Sequence, residues 1–298
     1  MNISEHRKAI DKLDARIVRL LNERTRHVLA IGGIKLKAGG EIYAPHREHA
    51  VFQRICRLNA GPITSGQLRA IYREIMSSAL ALEKNMTIAC LGPEATPTHQ
   101  AAIRKFGASL RYAPQKTIAD VFTAVNKGRA DYGVVPLENY NEGVVTHTLD
   151  IFVDSELKIV SQIILPARQR LMVPPGGSRA KIRKACVQLR IQDNAATAAR
   201  FLVLGRQCSP PTGGDRTSLL VSMADKAGAL HRVIAAFRRC QINVTKIEPR
   251  PGKRKAWKYF FFIDCDGHVQ DRKVSKVVAL LERERSRVKV LGSYPNTE

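Results

Sequence analysis

Residues 4–37 contain no proline, and their apolar positions Ile10, Leu13, Ile17, Leu20, Leu21, Val28 and Ile31 fall on one helical face. That spacing predicts a single continuous helix. At 1.5 Å per residue it spans about 50 Å, too long for an ordinary globular helix. It is therefore expected to pack against a second copy of the chain, making a homodimer. At 100° per residue, Arg24 and Lys35 fall inside the apolar stripe and Arg7 lies at its edge. Cations on a buried face need anions, either protein carboxylates or a ligand, unless they snorkel to water.

The helical pattern continues beyond this element. Gly39-Gly40 ends the first helix, Pro45 opens a second running to about Leu58, and Thr64 or Ser65 caps a third running to about Lys84. From Met86 the pattern changes to a strand over 87–91, the turn-rich Gly92-Pro93, and alternating helix and strand segments through Val134-Val135-Pro136. Pro174–Ser178 reads as a loop and Ser209–Gly214 as a linker. Beyond it the expected order is strand 217–223, helix 228–240, strand 243–248, strand 256–265, helix 272–285 and strand 288–294. This is the βαββαβ order of a ferredoxin-like domain. Three domains follow: 1–85 all-α, 86–208 α/β, and 215–298 ferredoxin-like.

A chain of 298 residues is long enough for these cores. It has no apolar run of 18 residues, and its N-terminus carries Glu5, His6, Arg7 and Lys8, so neither a membrane span nor a signal peptide is expected. The expected location is the cytoplasm. The six cysteines, Cys56, Cys90, Cys186, Cys208, Cys240 and Cys265, form no CxxC pair, which argues against a zinc site and a disulfide framework. A net charge of +23 invites a nucleic-acid reading, but it divides as +7, +7 and +9 over 1–85, 86–212 and 213–298. Without a concentrated basic arm or face, the excess suits anionic small molecules better than nucleic acid.

Single residues in the helical segment are bland, but together they resemble the all-helical chorismate mutase family. The resemblance covers residues 4–84 and rests on Arg7-x2-Ile10-x3-Asp14, Leu20-Leu21-Asn22-Glu23-Arg24, Ile31-x3-Lys35, Arg47-Glu48 and Arg73-Glu74-Ile75-Met76-Ser77. It implies that Arg7, Arg24 and Arg47 grip the two carboxylates of chorismate, Arg7 coming from the partner subunit. It also implies that Lys35 and Glu83 face the ether oxygen and that Glu48 holds the ring hydroxyl. Ala44 and Ala79 stand where one version of the pattern has aspartate and serine, which implies weaker secondary contacts. The implied reaction is a one-step pericyclic rearrangement to prephenate, requiring no nucleophile, cofactor or metal, only orientation and charge stabilisation. Glu83 would have to be protonated to donate a hydrogen bond.

The middle segment carries Gly92–His99, Asp131–Asn139, Glu142–Val145 and Thr148-Leu149-Asp150. This combination is similar to the first lobe of prephenate dehydratase, a periplasmic-binding-protein-like α/β fold. The resemblance singles out Thr96, Thr98, Glu138, Asn139, Ala199, Arg200 and Phe201, with Ala199 at the place of a catalytic threonine. Tyr140 replaces a serine, and Ala95 and Pro97 interrupt a glycine-rich turn. Ile182–Cys186 runs almost directly into Ile191–Asp193 and Arg200–Gly205, so the second lobe is largely missing. An impaired dehydratase is expected, because a cleft needs both walls.

Over 215–295 the chain resembles the ACT domain of phenylalanine-inhibited bifunctional enzymes, on Gly228-Ala229-Leu230, Glu248-Pro249-Arg250-Pro251, the aromatic run Trp257–Asp264, and Leu291–Pro295. The resemblance implies that Gly228, Ala229, Leu230, Glu248, Arg250 and Pro251 enclose L-phenylalanine at a dimer interface, with Pro249 in place of a serine or threonine. The implied partners are chorismate, prephenate and the L-phenylalanine effector. A non-catalytic amino-acid-binding regulatory protein is the alternative.

Overall fold

The structure is a computed structural model that describes residues 2–40, 42–139, 143–166, 198–224, 226–251, 258–283 and 286–296. The Pro174–Ser178 loop, Ile182–Asp193 and Tyr140 lie outside these residues, as do the side chains of Asn139 and Pro251.

The long helix forms as its periodicity predicts. α1 spans Ile3–Lys37, opened by a capping box in which Asn2 and Glu5 satisfy each other's backbone N–H groups. α2 (Pro45–Leu58) has proline in its first turn, and α3 (Ser65–Glu83) opens on a Thr64–Gln67 capping box. Only the C-terminal part of α1 packs on this body, and Gly32 is its one buried residue. Ile10, Leu13, Ile17 and Leu20 are each more than half exposed in the single chain.

A six-stranded sheet follows. Its strands are β1 (Thr87–Leu91), β2 (Arg111–Gln115), β3 (Tyr132–Asn139), β4 (Gly143–Val144), β5 (Lys158–Pro166) and β6 (Ala198–Gly205). The order is β2-β1-β3-β6-β5, with β4 on β3; β1 is parallel to β2 and β3, whereas β6 runs antiparallel to β3 and β5. Helices α4 (Pro97–Phe106), α5 (Ile118–Asn126) and α6 (Thr146–Asp154) cover it. One face packs with α4 and also takes Ile42, Tyr43 and Met86, so the helical segment and the sheet share a core.

The other face joins α5 and α6 to Phe262, Leu291 and Tyr294 of the C-terminal sheet. This second sheet contains β7 (Asp215–Ala224), β8 (Val244–Pro251), β9 (Lys258–Asp266) and β10 (Arg287–Pro295). Its antiparallel order β10-β7-β9-β8, with α7 (Ala229–Arg239) and α8 (Arg272–Arg283), gives the expected ferredoxin-like arrangement. Contact between the two sheets is close. A Cβ at Gly292 would lie 2.1 Å from the Ile159 carbonyl oxygen, so only glycine fits there.

Ser209–Gly214 is less free than its composition suggests. Ser209 is buried and its carbonyl accepts from His268 Nε2 at 2.8 Å, while Asp215 accepts from the Thr212 and Gly213 backbone N–H groups. A side-chain donor, His268, and a side-chain acceptor, Asp215, fix this proline- and glycine-rich stretch.

Candidate active site

α1, α2 and α3 enclose a cavity of about 580 Å³. Arg24, Lys35, Ala44, Arg47, Glu48, Ala79 and Glu83, separated by up to 59 positions in sequence, all line it. Arg7 does not. It is exposed, 17 positions before Arg24 and hence about 26 Å away along the same helix. It can reach such a cavity only on another copy of the chain.

The wall chemistry favours an anion. Arg24 Nη1 is shielded from solvent and has no hydrogen-bond partner among the described residues. An orphaned guanidinium nitrogen at a cavity wall costs free energy until an anion arrives. Lys35 Nζ donates to the Ile42 carbonyl at 2.9 Å, fixing the ammonium at one end. Burial, then the charges of Lys35 and Arg47, push the His46 pKa down, so its imidazole adds no charge at neutral pH.

Glu83 supplies the opposite chemistry. Burial pushes its carboxyl above its ordinary pKa, against the opposing pull of Lys35. Its seat is Gly32, where a Cβ would lie 2.5 Å from Glu83 Oε2. A side chain at position 32 would displace the carboxyl, giving this buried helix glycine a role that its sequence position did not reveal. Glu48 Oε2 accepts from the Tyr43 hydroxyl at 2.9 Å and from Lys105 Nζ at 2.7 Å. Lys105 and Phe106 belong to α4 yet line the helical cavity. Neither they nor Tyr43 carries a local sequence signal, because tertiary docking brings them there. The site can hold a small dianion and orient it between cations.

The dehydratase-like residues are placed differently. Thr96 caps α4, its hydroxyl donating to the Leu91 carbonyl at 3.0 Å and accepting from His99 N–H, while Thr98 is buried on that helix. Ala199 and Phe201 are buried in the sheet core, on the face with Tyr43 and Phe106. Arg200 points the other way. Its Nη1 donates to Asp264 Oδ2 at 2.6 Å, its Nη2 to the Tyr294 hydroxyl at 3.0 Å and its Nε to Gln162 at 3.0 Å. Burial opposes this charge, but Tyr294, Asp264 and Glu138 outweigh it and hold the guanidinium above its ordinary pKa. Glu138 pairs with Lys246 of β8 and lies 3.5 Å from Arg200. These side chains bind the two sheets together rather than facing one cleft.

Around the expected effector site, Gly228 is the left-handed N-cap of α7 (φ 77°) with no capping side chain, and the Ala229 N–H donates to the Lys226 carbonyl at 3.0 Å. Glu248 and Arg250 lie on β8, and Arg250 is committed to Asp150 of α6, Nη2 to Oδ1 at 2.9 Å. Among the described residues there is no cluster of metal-ligating side chains and no helix long and apolar enough to cross a membrane.

Three family models match in order: chorismate mutase type II over residues 6–84, prephenate dehydratase over 88–186 and ACT domain over 217–282. The bifunctional chorismate mutase/prephenate dehydratase of Aquifex aeolicus is 39% identical, with 98% of each chain covered. That of Pseudomonas aeruginosa is 33% identical over 97% of this chain and 96% of its own. The Aquifex alignment runs to 353 positions, more than the 298 residues of this chain, so the relative carries several tens of residues without a counterpart here. Among solved structures, prephenate dehydratase from Streptococcus mutans aligns with TM-score 0.55 and 29% identity, covering 70% of this chain and 97% of its own. The Arthrobacter aurescens prephenate dehydratase in complex with L-Phe aligns with TM-score 0.58 and 26% identity, covering 71% and 90%.

Proposed function

The chain belongs to the bifunctional chorismate mutase/prephenate dehydratase family, and from that premise we propose that the helical cavity is its mutase centre, completed by a second subunit. The carrying observation is the shielded Arg24 Nη1, without a hydrogen-bond partner among the described residues, in a cavity that also holds Lys35, Arg47 and Glu83. Arg24, Arg47 and the Arg7 of a second copy grip the two carboxylates of chorismate. The exposed apolar face of α1 supports that second copy, because a stripe of this length is seldom left in water. Lys35 and protonated Glu83 stabilise negative charge developing on the ether oxygen, and Glu48 holds the ring hydroxyl. Ala44 and Ala79 shape the wall without adding hydrogen bonds. A purely regulatory protein would have no use for this set of polar groups around an open cavity. The reaction is placed in the cytoplasm, as a step towards L-phenylalanine.

The test is chorismate consumption by the purified full chain, followed against pH, without added cofactor. Glu83 donates only when protonated, and its pKa is raised. Activity should therefore be retained at low pH and fall as pH rises through that pKa. Glu83→Gln, which donates at every pH, should lose this high-pH fall. An unchanged fall in the variant would remove Glu83 from the role of donor.

The C-terminal domain is proposed to bind L-phenylalanine between the α7 N-terminus and the Glu248–Pro251 strand. Saturating L-phenylalanine at about 100 times its Kd should stabilise the chain by about 2.7 kcal/mol and raise the melting temperature, tyrosine much less so. No shift at millimolar L-phenylalanine would mean that Pro249 has closed the site.

A further inference from the structure

The mutase assignment leaves one wall of the cavity unused, the wall formed by the α/β segment. Lys105, in the last turn of α4, reaches Glu48 with Nζ 2.7 Å from Oε2. The side chains are only 15% and 12% exposed, so this pair lacks the solvent screening that makes most surface ion pairs negligible. Tyr43 donates to the same oxygen, and among the described residues Oε1 of Glu48 has no hydrogen-bond partner. Two donors on one oxygen fix the plane of the carboxylate and leave the other oxygen available.

The support behind these donors is rigid. The Tyr43 ring lies 5.0 Å from that of Phe106 and 5.1 Å from that of Tyr132, centroid to centroid, linking β3 through α4 to the cavity. The turn after α4 is tied to α3: Ala108 N–H donates to Glu74 at 2.9 Å, and Ser109 N–H donates to the Ser77 hydroxyl at 3.2 Å. At Gly107 a Cβ would lie 2.4 Å from that of Ser77, so any larger residue would collide with α3 there.

We propose that Lys105, a residue of the dehydratase segment, is a positioning residue of the mutase centre. With Tyr43 it orients Glu48 so that Oε1 receives the substrate hydroxyl, and the α/β layer thereby contributes to the mutase centre. This rests on reading the helical cavity as the mutase centre.

The test uses the full chain and steady-state chorismate kinetics. Lys105→Met keeps the aliphatic stem and removes the charge, and Lys105→Arg keeps the charge. Because a hydrogen bond to a charged group contributes enough to change binding by an order of magnitude, Lys105→Met should raise KM about tenfold with a smaller effect on kcat. Lys105→Arg should recover most of that loss. With Glu48→Gln already present, adding Lys105→Met should cost about twofold or less, because both changes remove one function. The proposal is overturned if Lys105→Met matches wild type, if Lys105→Arg is as impaired or as poorly folded as Lys105→Met, or if the two losses multiply. Wild-type protein that consumes no chorismate would instead remove the underlying mutase reading.

Discussion

Arg24→Ala is expected to lower kcat/KM for chorismate by about thirtyfold to a few thousandfold, because a buried charge-pair contact contributes about 2–5 kcal/mol when truncated and each 1.36 kcal/mol is tenfold. The melting temperature should stay level or rise. Among the described residues Arg24 Nη1 has no hydrogen-bond partner, so removing it relieves a desolvation cost instead of breaking a bond. This combination separates a ligand-gripping arginine from a structural one, whose loss would depress melting and activity together. Activity within a few-fold of wild type would assign Arg24 to packing.

Dehydratase activity is expected to be at most about one-hundredth of an ordinary rate near 1 s⁻¹, since a misplaced catalytic group alone can cost about a hundredfold. Converting prephenate to phenylpyruvate expels a hydroxyl together with carbon dioxide, so it needs a proton donor beside that hydroxyl and an enclosed pocket. Ala199 has no hydroxyl and is buried in the sheet core, while Thr96 is committed to capping α4. Glu138 is paired with Lys246, and Arg200 with Asp264. Restoring a hydroxyl by Ala199→Thr should therefore not recover turnover, because the added group enters the apolar face shared with Phe201 and Val203. Phenylpyruvate formation from prephenate at neutral pH measures this directly. Turnover of about 1 s⁻¹ by the wild-type chain would show that the catalytic group lies elsewhere.

Periodicity carried the fold a long way. α1, α2 and α3 follow from apolar spacing and caps that act locally, and the C-terminal βαββαβ order follows from runs of alternating residues closed by turn signals. Spacing reports that a face is covered but not by what, which is why Ile42 and Tyr43 gave no sign of entering the sheet core. The same limit hid Lys105, which carries no local signal of the cavity it reaches. Nothing local in the sequence joins Arg200 to Gln162, Ser218, Asp264 and Tyr294, whose buried hydrogen bonds form only where the two sheets meet. In the helical cavity, Arg24 and Lys35 stood out as charges on an apolar stripe. Arg47, Glu48 and Glu83 became legible only through the family pattern, and Gly32 only through the carboxyl seated on it.

The claim that one subunit's Arg7 completes the other's cavity is tested most directly by mixing two inactive variants. Arg7→Ala and Arg24→Ala should each be nearly inactive as homodimers. After unfolding and refolding together, half of the dimers should be mixed, and each mixed dimer holds one site with both arginines intact. Recovery of about one quarter of wild-type mutase activity is expected. A mixture no more active than its components, or an Arg7→Ala variant with full activity alone, would contradict a mutase centre shared between two subunits.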